Sequence, residues 1–222
     1  MQVAGITHIK TFSSNFIQFM RAREQFPHSI AKRLLPILFM ANFGLMSNAN
    51  ASDEIRIIQV TDYQEDQMLL FDSHTQFHLP DVILEAIQNE ITITFETDIV
   101  FTEHHRLLGV KYDRERLNLA YQTQLHYSGF NNRYTLINKR NNNIQHFSSL
   151  SRALSTLGTL ISFPVLPLSE LHPGQKHTLK LRIRLNRWRL PAPLVLNSFL
   201  DSDWKLDSGW FETTIYTPKS WL

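Results

Sequence analysis

The feature that most constrains this chain is an alternation of apolar and polar residues, repeated segment after segment beyond residue 54. Between Thr178 and Asn186, Leu179, Leu181, Ile183 and Leu185 fall on one side, while Lys180, Arg182 and Arg184 fall on the other. Leu117, Leu119, Tyr121, Thr123, Leu125 and Tyr127 alternate with Asn118, Gln122, Gln124 and His126 in the same way, as Ile91, Ile93 and Phe95 do with Thr92, Thr94 and Glu96. Successive side chains of a strand point to opposite faces, so a period of two marks strands with one buried face. Shorter strands are predicted over 55–60, 67–71, 133–137, 161–166 and 211–216.

Two segments break this rhythm and read as helices. Pro80-Asp81 suits a helix start, because proline fits the first turn and an acid meets the positive end of the dipole. Val82, Ile83, Ala86 and Ile87 then form an apolar stripe. The second helix follows the capping residues Ser148-Ser149, carries Leu150, Ala153, Leu154 and Leu157 on one side, and stops at Gly158. Each helix stands between two strands, a strand–helix–strand pattern written twice. Asn131-Asn132, Asn141-Asn142-Asn143 and His172-Pro173-Gly174 provide turn chemistry. Together these elements predict a mainly β fold: a two-layer antiparallel β-sandwich with two short helices, for which an immunoglobulin-like topology is one arrangement.

The first 51 residues have a different character. Arg21, Arg23, Lys32 and Arg33 precede an uncharged, largely apolar run from Leu34 to Met46, which ends in Ser47-Asn48-Ala49-Asn50-Ala51 before the polar Ser52-Asp53-Glu54. A basic region, a short apolar core and an A-x-A exit make a secretory signal peptide cleaved between Ala51 and Ser52. The other reading is a retained membrane anchor, but a spanning helix needs about 20 apolar residues, and this run is shorter and broken by Pro36 and Gly44. The leader is long, and translation from Met20 would give it a more usual basic region. The expected organisation is thus a leader over 1–51 and a single exported domain over 52–222.

The leader also explains the charge. The full chain has 22 Lys+Arg and 20 Asp+Glu. Of these the leader holds five bases (Lys10, Arg21, Arg23, Lys32, Arg33) and one acid (Glu24), which leaves 17 bases against 19 acids, a net of −2, in the exported part. That balance gives no case for a nucleic-acid partner. There is no cysteine, which excludes disulfides, thiol catalysis, Cys-type zinc sites and an N-terminal lipidated cysteine.

A specific constellation lies in the last third: Arg182-Ile183-Arg184-Leu185, Leu190-Pro191-Ala192-Pro193-Leu194, and Asp203-Trp204-Lys205-Leu206-Asp207-Ser208-Gly209-Trp210. Leu125-His126-Tyr127, Arg133-Tyr134, and Ala86 followed by Ile91 to Phe95 accompany it. With these residues the chain resembles the exported proteobacterial family known as domain of unknown function 4390, over about Leu69 to Ile215. One departure is His105-Arg106-Leu107-Leu108, where members of that family tend to carry tryptophan. The resemblance implies a signal peptide and a single periplasmic domain over 52–222 in a Gram-negative bacterium, and it implies no catalytic residue. Genes of the family often lie beside a membrane sensor kinase, so the resemblance implies a link to envelope signalling and such a kinase as partner.

Candidate chemistry is sparse. His74 and His78 are four apart in a stretch that Pro80 argues against being helical, so they do not share a face. His104 and His105 go to opposite sides of a strand. Neither pair makes a metal site, and Glu103 beside His104 is the one candidate acid–base pair. No G-x-S-x-G, H-E-x-x-H or glycine-rich phosphate loop is present. No enzyme activity, cofactor or metal is therefore expected. Trp188, Trp204, Trp210 and Trp221 all fall near the C-terminal end, beside the basic row of Lys180, Arg182, Arg184, Arg187 and Arg189. Core packing and a solvated strand face explain such residues. Trp and Arg are also the residues of interaction hot spots. Arg182, Arg184, Trp188, Trp204 and Trp210 are accordingly the expected binding residues, for an anionic partner in the cell envelope. The expected function is a non-catalytic periplasmic interaction module that binds protein; the alternative is a carrier of a small or amphipathic envelope ligand.

Overall fold

The computed structural model of the chain describes residues 55–216. The expected leader, its cleavage point at Ala51/Ser52, and Trp221 lie outside these residues. Nine strands are described: β1 (Ile55–Glu65), β2 (Met68–Phe77), β3 (Ile93–Leu107), β4 (Val110–Ser128), β5 (Arg133–Asn138), β6 (Asn143–Phe147), β7 (Thr159–Pro167), β8 (Lys176–Leu185) and β9 (Phe211–Tyr216). They form two antiparallel sheets, one of three strands in the order β1-β2-β7 and one of six in the order β6-β5-β4-β3-β8-β9. The expected mainly β, two-layer antiparallel architecture is the one observed.

The turns follow from residues that tolerate a left-handed backbone. Asn132 and Asn142 sit at φ 51° and 54°, and Gly174 at φ 73°, which places positive φ in the three stretches that supplied the turn chemistry. Between β3 and β4 the turn is Leu108-Gly109, both with positive φ, the requirement of a two-residue hairpin. Three short helices complete the fold: α1 (Asp81–Gln88), α2 (Leu150–Leu157) and α3 (Ala192–Leu200). The first two are those the periodicity predicts. Ser149 caps α2 by accepting the Arg152 N–H, which satisfies one of the orphan donors of a helix start. Both are crossovers: α1 leads from β2 in the small sheet to β3 in the large one, and α2 leads from β6 back to β7. The third helix is not predicted by sequence periodicity. It starts within Pro191-Ala192-Pro193, where the prolines fall at the first turn and cost no internal hydrogen bond.

Between the sheets lies an apolar core, with a space of about 160 Å³ left beside it where β4–β6 face β7. Ile57, Leu69, Phe71, Phe163 and Val165 of the small sheet meet Ile99, Phe101, Leu179, Leu181 and Ile215 of the large one, and Phe71 packs on Phe163 with ring centroids 5.1 Å apart. A second cluster closes one end of the sandwich, where Ile83, Ala86 and Ile87 of α1 and Ala153 of α2 pack on Ile93, Phe95, Leu125 and Leu185. The opposite end is a long ribbon. β3 pairs with β8 only as far as His104↔Lys176, yet its pairing with β4 continues through His105↔Tyr112 and Arg106↔Lys111 to Leu107↔Val110.

Candidate functional site

The basic row of β8 does not stand free. Strand register sets each cation opposite an acid: Lys180 faces Glu212 of β9, Arg182 faces Asp98 and Arg184 faces Glu96 of β3. The side chains close two of these pairs, with Lys180 Nζ 2.8 Å from Glu212 and Arg184 2.6 Å from Glu96, and Arg184 also reaches Asp98 at 3.2 Å. Arg182 donates through both Nε and Nη2 to the carboxylate of Asp207. Burial alone would push the Asp207 carboxyl up, but the Arg182 hydrogen bonds, the Gly209 N–H and the charges of Arg182 and Arg184 hold it below the usual range. The same contacts with Asp207 push the Arg182 guanidinium up. This face is an ion-pair ladder within the sheet, and the expected use of Arg182 and Arg184 as free cations for an anionic partner meets partners already in place.

The tryptophans divide. Trp204, an expected binding residue, is buried at 3% exposure in the end cluster with Ile83, Ile87, Leu190 and Leu206, so it is a core residue instead. Trp210 is half exposed and lies over Arg182, 5.7 Å from guanidinium carbon to ring centroid. Trp188 stands out from the surface at 75% exposure. Its ring packs on Phe199 of α3 at 4.6 Å between centroids. Arg187 lies over the other ring of this pair, 4.3 Å from Phe199, and donates to the Ser198 carbonyl. Leu196 and Leu200, on the same helix, are also exposed. The third helix, which sequence periodicity missed, thus turns Trp188 from an isolated residue into part of an aromatic and aliphatic patch.

A second constellation was half legible in the sequence. Glu103, the one candidate acid beside a histidine, is fully buried at the base of the β3–β4 ribbon. His172 Nδ1 is 2.7 Å from one of its oxygens, His105 Nε2 and Arg116 Nη1 lie 3.1 and 3.5 Å from the other, and the buried His177 is 3.6 Å away. His104 points to the opposite face, as strand alternation requires, between Asp113 and Thr178 at 2.7 Å each. Glu103 therefore pairs with His105 two residues on, with His177 opposite it on β8 and with His172 in the loop before β8, rather than with its neighbour. Burial alone would raise the Glu103 carboxyl, but His172 and His105 overcome it and hold the group below its ordinary value. Burial pushes His177 down, against the pull of Glu103. Its ring stacks on Phe101 at 5.1 Å. Among the described residues no group of three or more His, Cys, Asp or Glu is placed to hold a metal ion.

The shifts of His177 and Glu103 contribute to the acid response of the fold. Below the free histidine value of 6.5 the unfolded chain binds a proton at His177 that the folded protein resists. Below 4.5 the same holds for Glu103. Both differences remove stability as pH falls. Denaturant titrations are expected to show loss beginning near pH 6.5 and steepening below pH 4.5. In His177→Phe, which keeps a ring on Phe101, the upper phase should vanish relative to wild type; its persistence would refute this assignment.

A surface groove of about 610 Å³ lies between β2, α1 and α2, lined by His74, Phe77, Leu79, Leu84, Leu150 and Leu154. It opens to solvent and shares no lining residue with the space between β4–β6 and β7. Among the described residues no helix is long and apolar enough to cross a membrane.

A family model described as "Domain of unknown function (DUF4390)" matches residues 52–214. No curated protein matches the chain, and no solved structure does.

Proposed function

From the premise that the chain belongs to the family described as Domain of unknown function (DUF4390), we propose that it is a non-catalytic interaction module, exported to the periplasm, that binds a protein of the cell envelope. The observation that carries the reading is the exposed patch of Trp188, Phe199, Leu196 and Leu200 with Arg187 stacked at its edge. Soluble proteins rarely leave large apolar side chains together in water, and Trp beside Arg is the composition of a binding hot spot. The patch stands on a short helix braced by Arg187 and by the buried Ser198, whose hydroxyl donates to the Val195 carbonyl, so little ordering is needed on binding. A membrane sensor kinase, the partner that the family resemblance implies, is one such envelope protein.

Beside the apolar core the space between β4–β6 and β7 is about 160 Å³, below the roughly 300 Å³ at which ligand pockets begin, which favours this reading over a carrier that holds its ligand inside the sandwich. The test uses protein recovered from the periplasm as bait, after its intact mass has been checked for a start at Ser52. Trp188→Ala with Leu200→Glu is expected to melt within a few degrees of wild type and to lose partners by about thirtyfold or more, the range of a hot-spot deletion. Capture of the same envelope proteins in the same amounts by wild type and variant would reject the patch. A mass retaining residues 34–46 would reject cleavage of the leader.

A further inference from the structure

The β3–β4 ribbon ends in a feature that the patch around Trp188 does not use. Beyond His104↔Lys176 the two strands have no lateral neighbour in the sheet, so Leu107 stands about 10 Å past the last β8 residue at ~3.3 Å per residue. At this free end Leu107, Leu108 and Val110 are exposed, Leu108 at 97%, and Tyr112 is half exposed. Apolar residues at a turn tip are unusual, because turns normally carry Gly, Asn, Asp or Ser for conformational reasons. Leu108 even adopts φ 50°, a conformation that leucine reaches only at a cost. Just behind them come Arg106 and Lys111, paired across the ribbon, and then Arg114. All three are exposed, and none forms an ion pair with another described residue. The nearby acids are engaged: Asp113 contacts His104 and Glu115 accepts from Asn118.

We propose that this tip is a membrane contact: Leu107, Leu108 and Val110 insert into the outer layer of an anionic lipid bilayer while Arg106, Lys111 and Arg114 meet its phosphates. A convex point of three side chains is far smaller than the roughly 800 Å² per partner of a stable protein interface. A lipid surface sets no such area, and shallow burial of a few apolar side chains together with basic residues at headgroup level suffices. Tyr112, one rung further back, has the amphipathic ring that suits the water–lipid boundary. The placement also leaves the Trp188 patch free. That patch follows β8 at Leu185, which pairs with Phe95, and Phe95 lies at the far end of β3 from Leu107.

The chain contains no cysteine, so Leu108→Cys gives a single attachment point for a nitrobenzoxadiazole label, with Asn141→Cys in the β5–β6 turn as the control position. Vesicles of phosphatidylcholine alone are compared with an equimolar mixture of phosphatidylcholine and phosphatidylglycerol, using the full chain throughout. The label at 108 is expected to shift to the blue and to escape aqueous iodide on the anionic vesicles, while the label at 141 stays in water. In the labelled Leu108→Cys chain, adding Arg106→Glu with Lys111→Glu should return the label to water. In unlabelled protein Leu108→Asp should lower the tip-dependent partitioning by about tenfold or more. These positions are solvent-exposed, and an unchanged melting temperature verifies folding. A label at 108 that remains in water on both vesicles overturns the proposal, as does a blue shift that survives the double charge reversal. Neither outcome bears on partner capture through Trp188.

Discussion

Trp204→Ala is expected to destabilise the protein by about 3–5 kcal/mol, the range for removing a large aromatic side chain from a core. Trp204 is 3% exposed and fills the end cluster among Ile55, Leu79, Ile83, Ile87, Leu185, Leu190 and Leu206. The short helical turn that presents it is held by Asp201, which accepts the Asp203 N–H. A cavity there cannot be refilled cheaply, since its lining comes from α1, β8 and the segments on either side of α3. Trp188→Ala is the control, an exposed ring whose removal should cost about 0.5 kcal/mol or less. Urea titrations of the two variants at equal m value separate the cases, and equal losses in both would mean that the division into a core and a surface tryptophan is wrong.

Gly158→Ala should cost about 3 kcal/mol, the upper part of the range for overpacking, and lower Tm by about 6–12 °C for a domain of this size. Its φ of −82° is one any residue adopts, so conformational freedom is not what the position demands. The demand is space. A Cβ on Gly158 would lie 2.2 Å from the Thr75 carbonyl oxygen and 3.0 Å from the Phe77 ring. The backbones cannot part, because the Thr75 N–H donates to the Gly158 carbonyl at 2.8 Å. Thermal melts of Gly158→Ala beside Gly174→Ala, where a Cβ has open space but φ is 73°, would distinguish crowding from backbone strain. A loss in the first no larger than in the second would refute the close-approach argument.

Most strands were legible because each needs only its own alternation; β6, exposed along most of its length, shows none and was not predicted. Phe211–Tyr216 falls where the sequence places it, and the β8 pattern of Leu179, Leu181, Ile183 and Leu185 matches the buried face. Two kinds of information were not local. The ribbon from His105 to Tyr112 has no buried face to impose a period of two, so nothing marks it as strand before β3 and β4 are seen paired. The third helix carries exposed leucines, so although prolines suit its first turn, its stripe does not resemble that of a helix packed on a core. Of the candidate site, Trp188 was visible as a residue and its surroundings were not. Phe199 and Leu200 reach it only through that helix. The charge ladder illustrates the same limit, since a row of Lys180, Arg182 and Arg184 looks like free positive charge until register sets Glu212, Asp98 and Glu96 opposite.

The two crossover helices also fix an order of events. The strands of the large sheet from β3 to β6 are each next to their successor in the chain, so they pair as the chain emerges, with short loops to close. The small sheet has no such freedom. Its middle strand pairs Phe71 with Phe163, and β7 is delivered only after both helices and four strands of the other layer. A chain that appears N-terminus first therefore holds one edge of β2 unpaired throughout that delay. Distant pairings of this kind are slow to close, and uncovered strand edges invite wrong partners meanwhile. For this fold the hazardous interval lies between the arrival of residue 77 and that of residue 159, and a chaperone or a protease acting on the nascent chain competes there.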